Sequence, residues 1–139
     1  MLVERIEGKW IDVFARVFAM CAVDETHTAA ILSETQSRAT NVNLAELGLD
    51  RLGIRPIHIV LPTLRQTAPV PVRSTGASDA IAGSHAVIKA LSSVDFVVDC
   101  TVEGLLHAPE LPEILADGTR VLMVSNEHPE ALERLMPTE

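Results

Sequence analysis

Phe96-Val97-Val98-Asp99-Cys100 is an unbroken apolar run closed by a carboxylate and a thiol, and its reading decides the fold. A run this short, with no polar alternation, suits a strand covered on both faces. Three more segments read the same way. Ile57-His58-Ile59-Val60-Leu61 lies upstream between Pro56 and Pro62. Thr26 to Leu32 has the apolar centre Ala29-Ala30-Ile31-Leu32. Arg120 to Val124 lies downstream.

Helical patterns separate these strands. Lys9 to Ala22 places Trp10, Val13, Phe14, Val17, Phe18 and Cys21 on one face, and leaves Asp12 and Arg16 four apart on the other, where they can pair. Val23-Asp24-Glu25 reads as a turn, and Ser33-Glu34-Thr35-Gln36-Ser37-Arg38 as a polar loop. A helix from about Thr40 to Leu52 buries Val42, Ala45, Leu49 and Leu52 and turns Asn43, Glu46 and Asp50 to water. Ser37 or Thr40 is placed to cap its start and Gly53 to end it. Residues 62–77 read as a long loop. A helix over about Asp79 to Ser92 follows, with Ile81, Val87, Ile88 and Leu91 inward. A loop and short helix run through Leu105 to Ala116 and stop at Asp117-Gly118. Pro129 opens a last helix that ends before Pro137. The order predicts one domain over residues 1–139, an α/β fold of three α/β/α layers around a mostly parallel sheet of about four strands, doubly wound and Rossmann-like.

Composition narrows the function. Apolar residues make up 47% of 139 positions, enough for one core, and with only Trp10, Phe14, Phe18 and Phe96 as aromatics that core is aliphatic. Eleven basic residues against nineteen acidic ones give a net charge of −8, which argues against a nucleic-acid surface. The charged start Met1 to Glu7 lacks the apolar stretch of a signal peptide, and no apolar run reaches membrane-spanning length. A cytoplasmic protein is expected. Cys21 and Cys100 each sit in apolar surroundings and read as buried free thiols.

In an open parallel sheet, ligands bind beyond the carboxyl ends of the strands. The loops there start at Ser33, Pro62, Thr101 and Ser125, and the last two hold the most reactive groups: Asp99, Glu103 and His107, then Glu127 and His128. His107, His128 and Glu103 are the residue types of a two-histidine, one-carboxylate metal site, but their spacing matches no metal motif. His58, His27 and His85 read as structural. Phosphate-binding glycine motifs and the Gly-x-Ser-x-Gly elbow are missing, and a buried Cys100 is a poor nucleophile. The most informative segment is Asp99-Cys100-Thr101-Val102-Glu103-Gly104-Leu105-Leu106-His107-Ala108-Pro109-Glu110. Leucines beside a histidine suit a small aromatic ring, with the imidazole as hydrogen-bond donor or proton carrier. The same residues also suit a helix start with Leu105 and Leu106 in the core.

Val97-Val98-Asp99, Leu105-Leu106-His107-Ala108-Pro109-Glu110, Gly118-Thr119-Arg120-Val121-Leu122 and Leu135-Met136-Pro137-Thr138-Glu139, with Val23-Asp24-Glu25-Thr26 near the start, resemble the 2,5-dihydroxypyridine 5,6-dioxygenase family. The resemblance runs from about residue 10 to the end. It implies an N-terminal scaffold and substrate-pocket domain of a longer, aminopeptidase-like enzyme. That enzyme would open a hydroxylated pyridine ring in nicotinate breakdown, using iron(II) and dioxygen. It implies that the iron ligands lie in a C-terminal domain of the same polypeptide, beyond this chain, so that the 139 residues alone are inactive. It carries Leu106 and His107 onto the substrate pocket, with His107 expected as the acid/base or hydrogen-bond donor and Leu105 and Leu106 as part of the pocket wall, and in a homo-oligomer this loop can serve a neighbouring subunit. Two other readings stand beside it: the N-terminal domain of an aminopeptidase-like metallohydrolase, and a non-catalytic oligomerisation module.

Overall fold

The computed structural model describes residues 8–62, 81, 84–102, 104–105, 108–124 and 129. Helix α1 (Gly8–Met20) leads into strand β1 (Ala29–Glu34), helix α2 (Ala39–Arg51) and strand β2 (Ile57–Leu61). Helix α3 (His85–Ser93), strand β3 (Phe96–Asp99), helix α4 (Leu111–Leu115) and strand β4 (Arg120–Met123) follow. The four strands form one sheet in the order β2-β1-β3-β4, and every pairing is parallel.

Side chains alternate across β1 and β3 and so feed two cores. Ala29, Ile31, Phe96 and Val98 meet Trp10, Phe14 and Phe18 of α1 and Leu44, Ala45 and Leu49 of α2. Ala30, Leu32 and Val97 meet Ile88 and Leu91 of α3 and Ile114 of α4. Helices therefore cover both faces, giving the three-layer α/β/α fold that the apolar runs predict. The strand order specifies it further: β1→β2 and β2→β3 run in opposite directions across the sheet, which is the doubly wound order that places a topological switch point between β1 and β3.

Several local expectations differ from what is observed. Strand β1 begins three residues later than its apolar pattern suggests and runs on through Ser33 and Glu34, both buried. Side chains capture the backbone before Ala29. Thr26 donates its N–H and hydroxyl to Asp24 Oδ1, and Thr28 donates both of its groups to Asp95 Oδ2. Strand β2 is an edge strand with Ile57 and Val60 more than half exposed, so it is not covered on both faces as its apolar run suggests. Asp12 pairs with Arg51 of α2 rather than with Arg16, tying the two helices together. Neither Ser37 nor Thr40 caps α2: its N-cap is Arg38, with no side-chain cap bond. Gly53 does end that helix. Its N–H reaches Asp50 O while Ile54 N–H reaches Leu49 O, the paired bonds of a Schellman motif. The expected helix over 79–92 is described from His85 onward, and the long loop after Pro62 and most of the last helix lie outside the described residues.

The α1–α2 contact is close. Phe14 and Phe18 meet edge to face at 6.1 Å, and Phe18 and Phe96 at 5.8 Å. Gly48 faces this stack: a Cβ there would come within 3.0 Å of Phe14 Cβ and Phe18 Cε2 and 3.2 Å of the Ala15 backbone nitrogen. Backbone cannot yield as a side-chain tip can. Gly48→Ala is expected to destabilise by about 1 kcal/mol net, because overpacking (about 1–3 kcal/mol) exceeds the gain in helix propensity. Gly8→Ala meets nothing within 4 Å and is expected to be neutral or slightly stabilising. Denaturant unfolding of the two variants compares the signs.

Candidate functional site

The carboxyl ends of β1 and β3 lie side by side at the switch point, and there the polar groups gather. Three buried residues carry the arrangement: Glu34 ends β1, Asp99 ends β3, and Thr101 opens the loop that follows. Asp99 is fully shielded from solvent. Its Oδ1 accepts the Thr101 N–H at 3.0 Å and the Thr101 hydroxyl at 2.5 Å, and its Oδ2 accepts the Leu105 N–H at 2.7 Å. Glu34 crosses from β1 to accept the Val102 N–H on Oε1 at 3.0 Å. Ser37, expected as a helix cap, donates its hydroxyl to Cys100 O at 2.6 Å and accepts the Glu34 N–H at 2.7 Å. Gly104 has φ +79°, a conformation that L side chains rarely adopt, and it lets the chain turn back so that Leu105 reaches Asp99.

The electrostatics follow from burial. Loss of solvent pushes the Asp99 carboxyl above the usual aspartate range. The three donors from Thr101 and Leu105 pull it down, and nearby Glu34 adds a smaller repulsion in the upward direction. Burial likewise pushes the Cys100 thiol up to about 12, helped by Asp99. That thiol is inert at neutral pH, as its apolar setting implies.

Of the residues singled out for a pocket, Leu105 is fully buried among Ala30, Leu32, Val97 and Ile114, so its side chain joins the core beneath the loop. Leu106 and His107 lie outside the described residues, as do Glu103, Glu127 and His128. Among the described residues, no group of three or more His, Cys, Asp or Glu side chains converges to hold a metal ion. These residues do not fit an iron site. Nor, among them, is any helix long and apolar enough to cross a membrane. His58 bonds Glu46 Oε1 at 3.0 Å and His27 Nδ1 accepts the Asp24 N–H at 3.1 Å, in keeping with structural roles. A cavity of about 360 Å³ lined by Glu46, Leu47, Asp50, Ile54, Arg55 and Pro56 lies at the opposite, amino end of the sheet, away from these groups.

Glu34 and Ser37 are the residues that sequence reasoning missed. Their polar surroundings, Ser33 to Arg38, read as a solvated loop, and nothing in the spacing links them to a strand more than sixty residues later. The Asp99-x-Thr101 pair was open to reading, since an aspartate that accepts the N–H two residues on is a common local motif.

A family model described as 2,5-dihydroxypyridine 5,6-dioxygenase matches residues 9–139. The 2,5-dihydroxypyridine 5,6-dioxygenase of Pseudomonas putida strain KT2440 is 35% identical over 129 residues, which is 91% of this chain and 36% of the relative. The solved structure of 2,5-dihydroxypyridine dioxygenase from the same strain matches with a TM-score of 0.80 and 34% identity, over 94% of this chain and 37% of that one. The chain thus spans little more than a third of the length of these relatives.

Two measurements probe the site. Iodoacetamide at pH 8 is expected to spare Cys100 in the folded protein and to label it only after unfolding; labelling at the rate of a free thiol would contradict its burial. Asp99 is an acid whose folded-state pKa is raised, so the native state holds the proton more tightly than the unfolded chain. Its stabilising contribution is complete below the unfolded value of about 3.9 and is lost as pH rises through the folded value. The stability difference between wild type and Asp99→Asn is therefore expected to be largest in acid and to shrink as pH rises, read by denaturant unfolding across pH 3–8.

Proposed function

The chain belongs to the 2,5-dihydroxypyridine 5,6-dioxygenase family, and from that membership we propose that it forms the N-terminal domain of a cytoplasmic ring-cleaving dioxygenase. The substrate is a hydroxylated pyridine of the 2,5-dihydroxypyridine kind, met in the breakdown of nicotinate. The observation that carries this reading is the anchored loop after β3. It stands at the switch point, where open parallel sheets bind ligands, and its backbone is held by Asp99 and Glu34.

In this reading the domain contributes shape and proton handling. Leu105 supports the loop from beneath, Leu106 supplies apolar wall for the ring, and His107 hydrogen-bonds a ring oxygen or moves a proton to or from it. A histidine suits the task because its ordinary pKa lies near neutrality. Iron(II), with ligands outside this chain, supplies the dioxygen chemistry. In a homo-oligomer the loop can complete a neighbouring subunit's pocket.

The test is ring cleavage by the full-length polypeptide with iron(II) in air, followed by loss of the ring chromophore together with oxygen uptake. One dioxygen consumed per ring opened is expected. His107→Ala should lower kcat/KM by about 10²–10⁴-fold, the usual contribution of a general acid or base. The isolated 139-residue chain should do no more than free iron. Turnover without oxygen uptake would overturn the dioxygenase reading.

A further inference from the structure

We infer that Glu34 is a positioning residue for substrate binding: from the end of β1 its carboxylate holds the Val102 peptide, and with it the loop after β3, in the place the ring requires. The inference rests on the dioxygenase reading and deepens it.

Among the described residues, four of the bonds that hold the loop as it leaves β3 are made by side chains to its backbone. Cys100 O is held by Ser37, Thr101 N–H by Asp99, Val102 N–H by Glu34, and Leu105 N–H by Asp99 again. Three of these bonds come from the β3–loop segment itself or from a neutral hydroxyl. Glu34 is different. It brings a charged side chain from another strand, 68 residues away in sequence, to a single backbone amide. It is only 7% exposed. It also sits close enough to Asp99 to repel it, which a neutral side chain would avoid. An apolar residue there would leave the Val102 N–H without this acceptor. What the carboxylate adds is a short, directional link from the stiff centre of the sheet to the loop. A contact surface for a small rigid ring must be held to within about 0.5 Å, and that needs such supporting bonds. Asp99 holds the next described amide, that of the fully buried Leu105, so Glu34 and Asp99 together fix the loop at Val102 and Leu105.

The experiment uses the full-length, iron-loaded protein and 2,5-dihydroxypyridine. Glu34→Ala removes the acceptor and is expected to raise KM about tenfold while kcat falls less than about threefold. A tenfold change is the size of one lost hydrogen bond to a charged group. Glu34→Gln keeps an oxygen for the Val102 N–H and is expected to recover KM to within about threefold of wild type. Glu34→Asp keeps the charge but is one methylene short of the amide; it is expected to behave like Glu34→Ala and replaces it if that variant does not fold. An unchanged KM in the alanine or aspartate variant overturns the inference, as does a glutamine variant no better than alanine. Wild-type protein that opens no ring sinks the dioxygenase reading instead. In that case amide exchange decides the positioning role. In Glu34→Ala, faster exchange at Leu105 and Ala108, whose N–H groups Glu34 does not bond, and its recovery in Glu34→Gln uphold it, and unchanged exchange there overturns it.

Discussion

Pairing between β1 and β3 joins segments more than sixty residues apart, in the register Ala29↔Phe96 through Leu32↔Asp99, and everything at the carboxyl edge is positioned by it. Apolar burial alone does not fix this register. Both strands are buried on both faces, and a slip of one residue would exchange one apolar set for another while turning every side chain to the opposite layer. Polar groups at the two ends remove that freedom. At the start, Thr28 donates N–H and hydroxyl to Asp95. At the finish, Cys100 N–H reaches Leu32 O, while Glu34 and Ser37 of the β1 side grip Val102 and Cys100. A slip would also carry Asp99 toward the layer of Phe14 and Phe18, where an unpaired carboxylate is costly.

The same register turns a fold restraint into a site. Parallel strands place all their carboxyl ends on one edge, and the winding reverses there between β1 and β3, the position at which open parallel sheets bind ligands. Of the loop after β3, the N–H groups of Thr101, Val102 and Leu105 are already bound there. A loop ordered before its ligand arrives avoids paying the ordering entropy on binding. The hydrogen bonds of the described residues gather at Asp99 to Leu105, within the stretch 9–139 that the family model matches.

Much of this was legible in the sequence, for identifiable reasons. Strand β2 emerged with its bounds intact because Pro56 and Pro62 bracket it; β3 was evident from the apolar run Phe96-Val97-Val98, though it ends at Asp99, one residue before the expected Cys100. The α1 stripe of Trp10, Phe14 and Phe18 follows helical periodicity. What stayed hidden depends on contacts remote in sequence. Ser33 and Glu34 look like loop residues until β2 and β3 are placed beside them. Ser37 has the composition of a helix cap, yet its hydroxyl is taken by Cys100 O, an acceptor that no local pattern reveals. The exposure of Ile57 and Val60 follows from strand order, which the sequence of elements leaves open.

The two ends of the sheet use the same chemistry with opposite electrostatic results. Asp24 and Asp95 each accept a threonine N–H and hydroxyl, as Asp99 does. In solvent those bonds dominate and hold both carboxyls below their usual range. Such groups stabilise the fold above the unfolded pKa and lose that contribution as pH falls through the folded one. For Asp99, burial outweighs the bonds and the shift reverses, so its contribution declines as pH rises instead. Asp24 and Asp95 thus act as ordinary staples, since ionised carboxylates at neutral pH favour the folded state. Asp99 does not fit that account, because burial makes its ionised form the costly one. In return Asp99 satisfies three donors of Thr101 and Leu105, a gain that the loss of solvent outweighs for this carboxyl. This one sits beneath the loop at the switch point, beside a second buried carboxylate that makes the cost greater. At the amino edge the threonine bonds act in solvent and prevail; at the carboxyl edge the same kind of bond acts in a buried setting, where the loss of solvent outweighs it.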